Sequence, residues 1–532
     1  MAGISAGRNI LPLAVRSRDE PRFSRVSGPR VMNFVPWRFP MTKLNRWKLA
    51  SAMLLLCTGM TGISQAQTFT TLVNFDIANG ADPYLMSLVQ GANGNLYGTT
   101  KDGGGFASCG SPGCGTVFEI TRNGTLTQLY NFGAEGHGAY PFAGLLLAPN
   151  GKFYGTTARV GSVFEISSKG QLRTVYGFCS QPNCSDGSTP WAGLMLATDG
   201  NFYGTTAYGG NTNCAGGCGT VFKITPSGQL DTLYSFCSSS NCADGYQPFA
   251  GLVEGTDGNL YGTTYLGGNN SGDCFTGCGT IFKITPTGTL STLYQFALTD
   301  GQNPDASLIQ GVDGKFYGTT VKGGAFRGGT VFEITSAGNL TTLYSFSGAD
   351  GLGPYSGLVR ATDGNFYGTT YLGGDFSCNY AWSCGTVFKL TPAGSLTTLH
   401  VFEYADGAEP FGGLVQATDG AFYGTAYSGG NFVCDRAADF PGCGTIFSLD
   451  VGLGPFVAFV QAAGKVGQSG GILGQGFTGT TSVSLNGTPA SFTVVSDTFI
   501  RATVPLGATT GYVTVTTPSG TLTSNVPFHV IK

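Results

Sequence analysis

The chain has 532 residues, 87 of them Gly, and only 11% are charged, against roughly a quarter in an average soluble domain. Its net charge is −3, but residues 1–66 hold ten Lys/Arg and two Asp/Glu, so residues 67–532 carry −11. That balance excludes a nucleic-acid partner, which calls for a basic face against phosphate. The Gly, Thr and aromatic bias points to a turn-rich all-β protein.

Residues 1–40 carry seven Arg and no apolar periodicity, and read as an upstream, disordered segment. Met41, Lys43, Arg46 and Lys48 then precede the apolar run Leu49–Met60 and Ser64-Gln65-Ala66. A basic stretch, a short apolar stretch and a small-x-small site make 41–66 a secretory signal peptide, with translation expected to start at Met41. The run is too short to span a bilayer well, and no other membrane span is expected once it is removed.

From residue 67 to 449 one unit recurs seven times, each marked by Tyr-Gly-Thr-Thr or, at the last, Tyr-Gly-Thr-Ala. The marker tyrosines are Tyr97, Tyr154, Tyr203, Tyr261, Tyr317, Tyr367 and Tyr423, spaced 49 to 58 residues apart. Such a period with strand-like content predicts a seven-bladed β-propeller, one blade per unit. The fourth unit shows the expected strands: a, Phe249–Val253; b, Asn259–Thr264; c, Thr280–Thr285; d, Leu290–Phe296. Asn-Gly or Asp-Gly at each a–b turn predicts type I′ geometry. The seventh unit has a strand c at Gly444–Phe447 but no strand d. Phe69–Phe75 instead matches Leu340–Phe346 almost letter for letter. The N-terminal strand is therefore expected to complete the seventh blade and close the ring.

With alternating strands, the a–b and c–d turns share one face and the longer b–c and d–a loops share the other. The variable loops carry all the cysteine pairs and are the expected binding face. These pairs are Cys109/Cys114, Cys179/Cys184, Cys214/Cys218, Cys237/Cys242, Cys274/Cys278, Cys378/Cys384 and Cys434/Cys443. In an exported chain they read as seven disulfides. Zinc is the competing reading, with only three His to share the ligation.

Residues 450–455 form a linker. Residues 456–532 then run through Gly474-Gln475-Gly476-Phe477, Val483–Gly487, Ile500–Pro505 and Gly511–Val515 to Phe528. That order resembles a TIG/IPT domain, which implies an immunoglobulin-like β-sandwich serving as a spacer or interaction module. The repeats, through Asp363–Thr370 (Asp-Gly-Asn-Phe-Tyr-Gly-Thr-Thr), Gly-Thr-Val-Phe and Leu-Tyr-x-Phe, resemble the bacterial choice-of-anchor GloVer tandem repeat across residues 69–449. That resemblance implies an exported, surface-associated protein. Phe528–Lys532 offers no hydrophobic tail or sorting motif, so free secretion stands beside surface attachment as the expectation.

Every d–a loop brings an acidic or amide residue ahead of a proline: Asn79, Glu135, Asp186, Asp244, Asp300, Asp350 and Asp406. Carboxylates ringing the axis would hold Ca²⁺ or a sugar, whereas Asx-turns would tie each one to its own backbone. Beyond Ca²⁺ no cofactor is expected. After the prolines come Tyr84, Phe142, Trp191, Phe249, Tyr355 and Phe411, with Asp305 alone breaking the aromatic series. Saccharide stacking and packing between blades explain these aromatics equally simply; Trp191 is the best ligand candidate, Asp305 marks the fifth unit as locally distinct, and Asp186, Asp244, Asp300, Asp305, Asp350 and Asp406 join Trp191 as candidates. Tyr-Gly-Thr-Thr reads as packing with a close blade–blade approach at its glycine. His137 reads as a solvated loop histidine. Gly-x-Ser-x-Gly, Walker and His-Glu-x-x-His motifs are absent, and no catalytic residue is assigned.

The expected function is an exported, non-catalytic binding or adhesion protein whose loop face recognises an extracellular glycan or envelope protein. The alternatives are a carbohydrate-active enzyme with acidic residues at the channel mouth and a structural surface-layer component.

Overall fold

Each repeat folds into one four-stranded antiparallel sheet, and the computed structural model shows how its sequence places the strands. It describes residues 67–531 apart from 106–108, 111, 134–136, 270–273, 375–377, 379–383, 431–433 and 435–441. The expected leader, the segment before it, and Glu135 lie outside the described residues. The chain divides into two units, Met1–Ser64 and Gln65–Lys532, and the following concerns the second.

In the fourth repeat, Val253–Glu254, Leu260–Thr264, Thr280–Ile284 and Leu290–Gln295 are strands a to d, hydrogen-bonded in that order. Strand b is wholly buried and strand c nearly so, while strand d is half-exposed. Among the described residues there are seven such sheets and no α-helix, only single 3₁₀ turns at Pro182–Cys184 and Ser240–Cys242. In six sheets the four strands are consecutive. The seventh takes Val415–Gln416, Phe422–Ala426 and Thr445–Asp450, and its fourth strand is Thr68–Asn74 from the other end of the repeats. Thr68 pairs with Asp450 and Asn74 with Thr445, antiparallel. The Phe69 ring stacks on His400 at 3.6 Å and on Phe447 at 5.1 Å.

Two expectations about strand geometry are corrected. The a–b turns are not type I′, because only the glycine takes positive φ, as at Gly94 (82°) and Gly258 (75°). Gly258 N–H donates to Gly255 O, and Gly255 N–H to Asn259 O. This is a three-residue hairpin with a type I turn and a left-handed glycine, which also reverses a chain within the sheet's twist. Strand a is also shorter than expected. Its first half is not in the ladder, since the Ala250 carbonyl accepts from Thr205 Oγ1 of the preceding sheet at 2.8 Å.

Tyr-Gly-Thr-Thr is consumed by packing. The tyrosine ring lies on the first residue of the next sheet's strand b, as in Tyr97 on Phe153 at 4.2 Å. Its hydroxyl donates to the a–b turn, as from Tyr261 to Asp257 at 2.8 Å. The glycine is needed within its own sheet and not between sheets, which corrects the expectation. A Cβ at Gly262 would stand 2.6 Å from Phe282 Cζ and 2.8 Å from Leu252 Cδ2, both of the same unit. The first Thr reaches the next sheet, and the second bonds strand c, as in Thr264 Oγ1 to Thr280 Oγ1 at 2.8 Å.

Past residue 455 two four-stranded sheets share the core of Val457, Ile472, Phe477, Val483, Ile500 and Val515. Parallel strands Ala463–Lys465 and His529–Ile531 add a two-stranded sheet. These sheets meet the a–b turns: Thr498 Oγ1 donates to Ala92 O at 2.8 Å and Gln461 Nε2 to Ala197 O at 3.1 Å. Leu473, Val460 and Phe499 pack with Leu147 and Phe153. The loop face lies at the opposite ends of the same strands.

Candidate functional site

Backbone hydrogen bonds tie the described d–a loop residues to the preceding sheet. In each d–a loop the residue before the proline is left-handed, with φ from 54° to 62° at Asp82, Tyr140, Thr189, Gln247, Asn303, Gly353 and Glu409. Six of these are not glycine, and each such conformation costs about 1 kcal/mol. Hydrogen bonds to the preceding sheet offset the strain: Gln247 N–H donates to Cys218 O and Glu409 N–H to Cys384 O. The reversal sends the residue after the proline inward.

There it meets its counterparts. Residues from all seven sheets line one cavity of about 220 Å³, among them Trp191, Phe249, Asp305, Tyr355 and Phe411. The aromatic series is continuous: Phe249 stacks on Trp191 (4.5 Å), Trp191 meets Phe142 (5.2 Å), Phe142 meets Tyr84 (5.4 Å), Tyr84 meets Phe411 (5.1 Å) and Phe411 meets Tyr355 (5.1 Å). The gap between Tyr355 and Phe249 holds Asp305. The residue is buried, Oδ1 has no hydrogen-bond partner, and burial pushes its pKa up to about 7. The indole Nε1 of Trp191 is also buried without a partner. Tyr84 is raised to about 12, chiefly by burial and then by the Asp305 charge.

A second carboxyl, Glu409, sits on the residue before Pro410. Burial raises it to about 7 against the opposing hydrogen bond from Ser428 Oγ at 3.2 Å. The sequence does not mark it, because the acidic position that recurs in the d–a loops is Asp406, three residues earlier. Tyr265, at 5.0 Å from Phe249, and Tyr371, at 4.6 Å from Phe411, were missed for a like reason, since they follow the repeated marker.

Of the predicted ligand residues, the structure brings Trp191 and Asp305 to the cavity and places five elsewhere. Asp186 accepts from Tyr176 Oη at 2.8 Å and Ser180 N–H at 3.0 Å. Asp244 accepts from Tyr234 Oη at 2.8 Å and Ser238 N–H at 2.9 Å. Asp300 accepts from Tyr294 Oη at 2.7 Å and Ala297 N–H at 2.9 Å. Asp350 accepts from Tyr344 Oη and from Ser347 N–H at 2.8 Å. Asp406 pairs with His400 Nε2 at 3.0 Å and Glu403 N–H at 2.9 Å. The picture of these five ringing the axis is therefore corrected. Each ties its loop to the outermost strand of the preceding sheet, as an Asx-type turn does, and they do not converge on a Ca²⁺ ion. Asn79 likewise exchanges hydrogen bonds with Asp76. His137 is not merely solvated, since its Nδ1 lies 2.8 Å from Thr174 Oγ1.

The structure carries disulfides Cys109–Cys114, Cys179–Cys184, Cys214–Cys218, Cys237–Cys242, Cys274–Cys278, Cys378–Cys384 and Cys434–Cys443. Sulfurs of Cys214, Cys237 and Cys242 lie within 4.8 Å of one another, but both pairs there are bridged, which removes them as zinc ligands. Several disulfides fit an extracellular protein. No helix of the described residues is long and apolar enough to cross a membrane.

The repeated sheets and their shared cavity define a propeller-like, all-β repeat protein. The chain belongs to the Gloeobacter/Verrucomicrobia repeat family, whose model matches residues 61–275 and 271–493. No curated protein matches it. Among solved structures it is similar to a streptogramin B lyase (15% identity over 72% of this chain and 97% of that one, TM-score 0.47). It is also similar to virginiamycin B lyase from Staphylococcus aureus (16%, 72% and 98%, TM-score 0.46). A fungal alcohol oxidase in complex with copper is a third (13%, 88% and 100%, TM-score 0.49). Likeness this distant says nothing about activity.

Proposed function

We propose that this is an exported, non-catalytic binding protein. In this reading the leader 41–66 directs export, residues 67–449 are a seven-bladed propeller closed by Thr68–Asn74, 450–455 is a linker, and 456–532 is an immunoglobulin-like domain of the TIG/IPT kind. The loop face recognises an extracellular glycan or envelope protein and draws one group of it into the central cavity. The observation that carries the reading is the buried, unpartnered Asp305 carboxyl facing a cavity walled by aromatics, since a buried polar atom left without a partner needs a reason. Exposed Val160 (75%), Phe275 (87%) and Phe326 (65%) on the b–c loops add apolar contact area on the same face. The C-terminal sheets dock on the turn face and leave this one to a partner. About 220 Å³ falls below the roughly 300–1,000 Å³ of pockets that enclose a whole drug-sized ligand. A polymer would therefore lie across the loops with one terminal group inserted.

A glycan array and cell-envelope fractions, probed with residues 67–532, test this. Saturable binding to one class, weakened at least tenfold by Trp191→Ala, is the expected result. Folded protein that binds nothing would overturn it. The buried Asp305 carboxyl on the cavity wall also fits a second reading, acid–base work in glycoside hydrolysis. Turnover lost in Asp305→Asn would select it.

A further inference from the structure

We infer that the central cavity accepts a small organic ammonium head group, held between the Asp305 carboxylate and the faces of the surrounding aromatic rings. This rests on the cavity being the binding site and names the chemistry it would take. Asp305 is buried to 9% exposure, its Oδ1 has no hydrogen-bond partner, and no ion pair of the described residues reaches it. A buried carboxylate without a counter-charge is costly, and a cation delivered by a ligand removes that cost.

The walls select the kind of cation. Trp191, Phe249, Tyr355 and Phe411 line the cavity, with Tyr265 and Tyr84 in ring contact behind them. Aromatic faces attract a weakly hydrated alkylammonium within about 6 Å of the ring centre. A calcium ion would want six to eight oxygens. Beside Asp305 the lining side chains offer as oxygens only the hydroxyls of Tyr355 and three serines, and Ser356 is already bonded to Thr369 at 2.8 Å. The protein holds cation–aromatic contacts itself, one of them on the aromatic series: Lys101 Nζ lies 6.0 Å from the Tyr84 ring centre and 5.8 Å from that of Tyr427, paired to Asp102 at 3.2 Å. The charge of −11 on residues 67–532 further draws cations toward the cavity mouth.

Calorimetric titration of residues 67–532 with choline and with 3,3-dimethylbutan-1-ol, its uncharged isostere, separates charge from shape. Choline should bind saturably, at least tenfold tighter than the alcohol, and Asp305→Asn should remove that advantage. Affinity should rise several-fold from pH 6 to pH 8 as Asp305 ionises. The groups facing it, Tyr84, Tyr265 and Tyr355, stay protonated there, whereas Glu409, beside Tyr371 and Ser428, titrates in the same range. The pH step must therefore survive Glu409→Gln. Equal binding of choline and the alcohol, or full choline affinity in Asp305→Asn, would overturn the inference. Glycan or envelope binding that Trp191→Ala abolishes, with no choline binding, would overturn it while leaving the proposed function standing.

Discussion

Replacing Asp305 with Asn should stabilise the ligand-free protein at pH 8 and change it little below pH 4. The Asp305 carboxyl ionises near pH 3.8 when unfolded and about 7 when folded. Below pH 4 it is protonated in both states and contributes nothing. Between pH 4 and 7 the unfolded chain releases its proton while the folded one keeps it, so the unfolded state binds fewer protons and stability falls as pH rises. Above 7 the loss is complete and on the order of 4 kcal/mol. Glu409, raised to about 7, slopes the same way. Glu165 opposes them at the acid end: hydrogen bonding to Arg173, then Lys152 and Tyr154, outweighs burial and lowers it to about 2. Its contribution is present above pH 4.5 and lost as pH falls toward 2. The wild-type protein should be most stable near pH 4–5 and several degrees less so at pH 8, by calorimetric melting at each pH. In Asp305→Asn that alkaline fall should shrink by more than half. An unchanged pH profile would mean that Asp305 is not buried as an acid.

The second large effect concerns Thr68–Asn74. A chain beginning at Asp76 leaves Thr445–Asp450 as an open edge and uncovers Phe447, whose ring Phe69 stacks upon. Unpaired edges recruit other chains, so this truncation should aggregate or melt far below the parent. A peptide spanning Gln67–Phe75, added in trans, should restore the parent midpoint by strand addition. Phe69→Ala alone should cost about 2–4 kcal/mol, read by denaturant unfolding. A truncated chain that melts like the parent, indifferent to the peptide, would show that the strand is not what holds the seventh sheet.

How much of this was legible follows from what repeats and what does not. The all-β class and unit period were readable because strand composition and glycine turns recur at every unit. The pairing of the first strand with the last was readable because Phe69–Phe75 copies Leu340–Phe346. Turn type was not, since Asp-Gly suits both a type I′ turn and a type I turn followed by a left-handed glycine. The direction of the d–a carboxylates was hidden for another reason. Their partners Tyr176, Tyr234, Tyr294 and Tyr344 sit on the outermost strand of the preceding unit, and a recurring acid before glycine does not say which way its side chain turns. Asp305 was legible because it breaks a sixfold aromatic series. Glu409 was not, because the positions before the prolines vary freely and only backbone conformation unites them.

Trp191 reports directly on whether ligands engage the cavity. In residues 67–532 carrying Trp382→Phe, Trp191 is the remaining tryptophan. Its emission should shift saturably with whichever glycan or envelope component binds on the array, with the same midpoint as binding itself, and Asp305→Asn should weaken both together. Binding that saturates while Trp191 emission stays constant would contradict the account and move recognition to the outer loops.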